Sequence, residues 1–218
     1  MTQNETKQND DTIINIPNQP INKSKRTTQT RVPPVKIVII GDSGVGKTTI
    51  LGRYLSGEVN KDERATIGNV HVQTIISKGD ENLKVVLWDT AGQERYSSMV
   101  DIYFRAAKGC IIVFDITSHT SFTNMLMWYN KLNEVVKNDI VTVIVGNKLD
   151  LERQREVDPE LVKDLASKWG CRYIECSAYE GTNIDSIFEY FVGKLQPDKE
   201  EIYEVELDKS TKKKSSCC

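Results

Sequence analysis

The apolar run Val35-Lys-Ile-Val-Ile-Ile40 feeds directly into Gly41-Asp-Ser-Gly-Val-Gly46-Lys47-Thr48, and this junction constrains the fold more sharply than any other stretch of the chain. A short, β-branched apolar run bounded by glycine reads as a strand buried on both faces. The pattern that follows, GxxxxGK[ST], is a glycine-rich turn that opens a helix. Strand, glycine loop and helix in that order predict an α/β fold built on a mostly parallel sheet with helices on both sides.

The same loop carries a chemical expectation. Glycines let successive backbone N–H groups converge on phosphate oxygens, and the positive end of the following helix adds to the attraction. Lys47 is placed to reach the outer phosphates, and the Thr48 hydroxyl to ligate Mg2+. Asp42, Ser43, Gly44, Val45, Gly46 and Thr49 complete the phosphate-binding set around Gly41, Lys47 and Thr48. A glycine-rich turn alone also occurs as a plain strand-to-helix connection, so the full pattern in this context is what points to a nucleoside phosphate.

A second strand-end motif addresses the base. Asn147-Lys148-Leu149-Asp150 follows the run Val141-Thr-Val-Ile-Val-Gly146, so its side chains are expected at the carboxyl edge of the sheet. A carboxylate there accepts hydrogen bonds from N1–H and the exocyclic amine of guanine, whereas adenine presents an acceptor at N1 and lacks the 2-amino group. Asp150 therefore favours guanine. On its own the tetrapeptide is equally a loop carboxylate capping a helix.

Between these motifs, Val85-Val-Leu-Trp88-Asp89-Thr-Ala-Gly92-Gln93-Glu94 is another apolar strand with an acidic end. Asp89 is placed to hold Mg2+ through a water. Gly92 allows its N–H to approach a terminal phosphate, and Gln93 can orient an attacking water. Taken separately, Gly-Gln-Glu is an ordinary exposed turn.

In this order the chain resembles the small GTPases of the Ras superfamily, and within them the Rab family. The resemblance spans about Pro34 to Leu195. It is carried by Gly41 to Thr48, Thr66-Ile67-Gly68, Trp88 to Arg95, Tyr103-Phe104-Arg105, Asn147 to Asp150, Cys176-Ser177-Ala178 and Cys217-Cys218. It implies that Thr66 closes over Mg2+ and the γ-phosphate, that the Ala178 N–H contacts the guanine oxygen beside Ser177, and that Asn147 braces the base loop against the phosphate loop. Lys148 and Tyr179 join the nucleotide-binding set by position.

Four positions depart from the family pattern. Val59 stands where an aromatic ring stacks on guanine. His71 replaces a Phe of the partner-binding surface, to which Trp88 and Phe104 are expected to supply the remaining aromatics. Tyr179 replaces the Lys that packs near the base. Ala106 replaces a frequent Gly, a change expected to be harmless.

Composition agrees with one domain. A chain of 218 residues with 39% hydrophobic content buries one sizeable core, and a formal net charge of −2 gives no global basic field, so no nucleic acid is expected. Cys110, Cys171 and Cys176 read as buried thiols with no zinc spacing. No run reaches membrane-spanning length and no signal peptide is evident. Residues 1–34, rich in Asn, Gln, Thr and Lys, are expected to be a disordered extension; 35–195 the GTPase domain; 196–218 a flexible tail. Val70–Ser77 and Leu83–Trp88 are expected to form an antiparallel hairpin on the otherwise parallel, six-stranded sheet, with helices over Lys47–Leu55, Ser121–Val136, Pro159–Lys168 and Ile184–Leu195.

The tail ends Lys212-Lys-Lys-Ser-Ser-Cys217-Cys218. Beside a Rab-like domain these cysteines resemble a double prenylation site, in which two lipid chains with nearby lysines hold a bilayer stably. The expected protein is a monomeric GTP/GDP switch with slow hydrolysis in which Gln93, Lys47, Thr66 and Gly92 act on the γ-phosphate. Its expected place is the cytosolic face of endomembranes, peripheral and lipid-anchored, with a cytosolic pool, in vesicle trafficking. Expected partners are an exchange factor, a GTPase-activating protein, effectors and a prenyl-binding carrier. Two alternatives stand beside it: a GTP-binding adaptor with negligible hydrolysis, suggested by Val59 and Tyr179, and a phosphate-loop ATPase or kinase, suggested by Gly41–Thr48 alone.

Overall fold

A computed structural model describes residues 26–58, 70–90, 100–136, 140–197 and 201–206. Two compact units emerge. In the smaller, strands β1 (Arg26–Arg31) and β8 (Glu201–Glu206) pair as a two-stranded sheet, within segments for which the sequence suggested no regular structure.

The larger unit is built on β2 (Val35–Gly41), β3 (Val70–Lys78), β4 (Glu81–Asp89), β5 (Gly109–Asp115), β6 (Val141–Asn147) and β7 (Arg172–Glu175), in the spatial order β3-β4-β2-β5-β6-β7. All neighbouring pairs are parallel except β3 with β4. That pair is the expected hairpin, with a tighter link than foreseen: Lys78 lies opposite Glu81, leaving only Gly79 and Asp80 between them. The central strands are apolar throughout because both faces are covered, and every residue of β5 is buried.

One face of the sheet packs against α1 (Lys47–Ser56) and α5 (Ile184–Glu189), joining Ile37, Ile39, Ile50, Leu51, Ile187 and Phe188 in one cluster. Tyr54 of α1 stacks on Phe188 of α5 at 3.9 Å between ring centres. The opposite face gathers Val38, Ile40, Ile112, Phe114, Phe122, Trp128 and Val162 beneath α2 (Val100–Phe104), α3 (His119–Val136) and α4 (Pro159–Lys168). Of the five cysteines, Cys110 and Cys176 are buried and Cys171 half-buried. Burial pushes the Cys171 thiol up to about 11 and raises the other two as well, so these thiols stay protonated.

Helix ends differ from the sequence reading for local reasons. The third helix begins at His119, ahead of Ser121, because the Ser118 hydroxyl accepts the Ser121 N–H and closes the first turn. The last stops being regular at Glu189, where the bonds Phe191 N–H to Phe188 O and Val192 N–H to Glu189 O tighten to three-residue spacing ahead of Gly193.

Ala106 requires a correction. Its φ is 60°, in the left-handed region where a Cβ is strained. The replacement of Gly by Ala at this turn therefore carries a cost. Ala106→Gly is expected to stabilise the domain by about 0.5–1 kcal/mol, relief of strain exceeding the added freedom of the unfolded chain. Chemical denaturation of the two proteins checks this.

Candidate nucleotide-binding site

The crevice of a parallel sheet opens where consecutive connections leave in opposite directions, and here that point lies between β2 and β5. The loop after β2 sits at this point. Two of its glycines are required by close approach. Gly41 has φ 139° and a Cβ there would collide with the Val113 carbonyl oxygen; Gly46 has φ 96° and a Cβ would collide with Asn147 Nδ2. Without a Cβ at these two positions the loop wraps tightly against β5 and β6.

Lys47 opens α1 and is only 5% exposed. Its ammonium donates to the carbonyls of Gly41 and Asp42 at 2.9 and 2.8 Å, which holds the charge over the loop. The next residue reaches across to β4: Thr48 Oγ1 donates to Asp89 Oδ2 at 2.5 Å. Register explains the meeting, because Asp89 pairs with Ile39, two residues before the loop begins. A second tie, Thr90 Oγ1 to the Ile39 carbonyl at 3.0 Å, fixes the end of β4. A hydroxyl and a fully buried carboxylate in contact are hard oxygen donors of the kind that suits Mg2+, whose other ligands would be phosphate oxygens and water.

Asn147 links the loop after β2 to the loop after β7. Its Nδ2 donates to the Val45 carbonyl at 2.9 Å, and its Oδ1 accepts from the Ala178 N–H at 3.1 Å and from Cys176 Sγ at 3.4 Å. The side chain is 2% exposed, and no residue of equal length without both an amide donor and an acceptor could make this set. Asp150 lies in the 3-10 segment Leu149–Gln154, where Oδ1 accepts from Ser177 Oγ at 2.6 Å. Ser177 Oγ in turn accepts the Glu180 N–H at 3.0 Å.

Lys148 adopts φ 70°, and its ammonium pairs with Asp115 Oδ2 at 2.6 Å. Burial pushes the Asp115 carboxyl up, but hydrogen bonds from Lys148 and Thr117 outweigh it and hold the group below the usual carboxylate range. Asp115 was not foreseen from sequence; it faces Asn147 in the β5–β6 register, a contact no local pattern announces. Tyr179 is 62% exposed, and its carbonyl accepts from Arg53 Nη2 at 2.6 Å. Thr66, Gly92 and Gln93, with Val59 and the two C-terminal cysteines, lie outside the described residues.

A Ras family sequence model matches residues 36–196, most of the chain and all but the first residue of the six-stranded sheet. The chain belongs to the Ras family. Among similar proteins, the Ras-related protein RABA2c of Arabidopsis thaliana is 39% identical over 160 residues, covering 73% of this chain and 74% of that protein. The Ras-related protein YPTC6 of Chlamydomonas reinhardtii is 37% identical over 160 residues, again 73% and 74%. RABA6a of Arabidopsis thaliana is 38% identical, covering 73% of this chain and 69% of its own. With such relatives this Ras-family member is a Rab-type small GTPase.

For this Rab-type chain the aromatic surface expected from sequence needs correction at one position. Phe104 is fully buried and belongs to the core. The ring beside Trp88 is Tyr103, 6.4 Å away and tilted. His71, directly opposite Trp88 in the hairpin, stacks on it at 5.4 Å, and the Lys36 ammonium lies 4.1 Å from the indole centre. Neighbouring aromatics in sequence alternate between core and surface, and Tyr103-Phe104 gave no indication of which faced out.

After the 3-10 segment, Arg155 grips Glu152 and Glu175 with paired hydrogen bonds, the Glu175 pair at 2.8 and 2.9 Å, and Tyr173 OH donates to Glu175 Oε1 at 2.5 Å. The Arg155 and Glu175 side chains are 15% and 20% exposed, so removing one leaves a mostly desolvated charge. Arg155→Ala is expected to destabilise the domain by about 2 kcal/mol, which thermal unfolding would register as a lowered midpoint.

Proposed function

We propose that this chain binds GTP and GDP with Mg2+ and cycles between them as a switch, hydrolysing GTP slowly. The observation that carries the reading is the Asn147 clamp, which holds the loop after β2 and the loop after β7 against one another at a single sheet edge. In this reading, phosphate-binding and base-reading groups about a hundred residues apart share one ligand.

In this reading the loop amides and Lys47 bind the phosphate chain, and Asp150 and the Ala178 N–H read the guanine edge while Ser177 orients the carboxylate. Bound Mg2+ would be held through Thr48, Asp89 and Thr66 and would neutralise charge on the outer phosphates. Gln93 orients the attacking water, and Thr66 and Gly92 order their loops around the terminal phosphate. An arginine supplied by an activating protein would raise the rate by roughly 10^3 to 10^5. Lipids on Cys217 and Cys218, following the lysine run, would hold the protein at a membrane surface with a carrier serving the cytosolic pool; among the described residues no helix is long and apolar enough to cross a bilayer. Vesicle trafficking, effector recruitment and an endomembrane location follow from Rab membership as proposals.

Single-turnover hydrolysis of GTP, with and without cell extract, tests the reading. Slow basal turnover accelerated by extract is expected, with Gln93→Leu binding GTP normally but losing the acceleration. Tight binding with no turnover under either condition would favour the adaptor reading, to which the exposed Tyr179 lends its one structural observation.

A further inference from the structure

The second residue of the phosphate loop is an aspartate, and a carboxylate has the wrong sign for a loop that gathers amides around phosphate oxygens. A like charge within a few ångströms of a phosphate chain weakens binding, more so where water is partly excluded. The structure turns the group aside. Asn124 Nδ2 donates to Asp42 Oδ2 at 2.5 Å, and Trp128 Nε1 donates to Asp42 Oδ1 at 3.1 Å.

Both donors stand on α3, four residues apart, so one helix face presents them side by side. Each carboxylate oxygen thus receives its own N–H. Trp128 is 3% exposed and sits in the core cluster with Met125 and Leu132, so its indole N–H is held in a fixed place. Both are charge-assisted bonds from neutral donors, and they draw the charge toward α3. Meanwhile the Asp42 carbonyl accepts from the Lys47 ammonium, so the backbone of the same residue serves the loop while its side chain faces the helix.

We propose that Asn124 and Trp128 are positioning residues for nucleotide binding: they hold the Asp42 carboxylate away from the phosphate chain and so keep the bound nucleotide from leaving quickly. The inference rests on Gly41–Thr48 being the phosphate site. It also couples α3, whose outer face bears the exposed Met127, to the rate of nucleotide exchange.

Release of a fluorescent GDP analogue from the full-length chain in Mg2+, chased with excess GDP, tests it. Asn124→Ala with Trp128→Phe keeps a ring in the core but removes both donors, and release is expected to quicken about tenfold. Adding Asp42→Ala to the double variant should slow release again, recovering most of the tenfold. Loss of core packing would not be repaired by removing a carboxylate, so the rescue separates positioning from general destabilisation. Unchanged release in the double variant, or release in the triple variant as fast as in the double, would each overturn the proposal. A parent chain that holds no guanine nucleotide at all would overturn the functional reading, and this inference with it.

Discussion

Asp150→Asn is expected to lower GDP affinity by about 10^3-fold while leaving the fold intact, because the change alters one polar group at the position proposed to read the base and nothing in the core. Ser177 Oγ holds Asp150 Oδ1 at 2.6 Å, which leaves Oδ2 to meet the ligand. In asparagine the Ser177 contact survives on the remaining carbonyl oxygen, and the position of Oδ2 becomes an amide donor. That donor faces the N1–H and amino donors of guanine, so two attractive bonds become a repulsive juxtaposition. Xanthine, with a carbonyl in place of the 2-amino group, presents the complementary acceptor. Competition titration should therefore show xanthosine diphosphate overtaking GDP, with a thermal midpoint in the ligand-free state close to that of the parent chain. Equal loss of both nucleotides would mean that Asp150 does not read the base.

Asn147→Ala should damage both stability and binding. The substitution strips the Val45 carbonyl of its donor and the Ala178 N–H of its acceptor, and both residues are nearly fully buried. Leaving two buried backbone groups unsatisfied costs about 3 kcal/mol, which for a domain of this size lowers the thermal midpoint by roughly 6–12 °C. The phosphate loop and the base loop then separate independently, so GDP release should quicken about a hundredfold, more than the stability loss alone would produce. Differential scanning calorimetry and stopped-flow release measure the two effects on the same protein. A destabilised variant with unchanged release would show that Asn147 is a core asparagine and not a brace between loops.

Much of this was legible from the chain alone, for identifiable reasons. The tight turn at Gly41–Thr48 was legible from its glycines, and Gly41 and Gly46 are positions where a Cβ finds no room against β5 and β6. The strands were legible because parallel strands covered on both faces leave uninterrupted apolar runs, as in β5. Ends of helices were less so, since Ser118 capping α3 and the tightening after Glu189 depend on single hydrogen bonds. Contacts made by register or across layers left no local mark. Asp115 beside Lys148, Arg53 on the Tyr179 carbonyl, and Asn124 with Trp128 on Asp42 all join residues brought together only by the folded sheet. The strain at Ala106 was invisible for a related reason: an alanine reveals nothing of its φ until its turn is seen.

If one sheet edge grips a phosphate chain through the loop after β2 and selects guanine through Asp150, GDP and ADP must bind very differently. Titration calorimetry of the purified chain with GDP and ADP, each with Mg2+, measures the difference most directly. Tight binding of GDP is expected, with an ADP affinity weaker by about 10^3-fold or more, the penalty for leaving base-reading groups unmatched. Equal affinity for the two nucleotides, or a preference for ADP, would contradict selection of guanine at this edge.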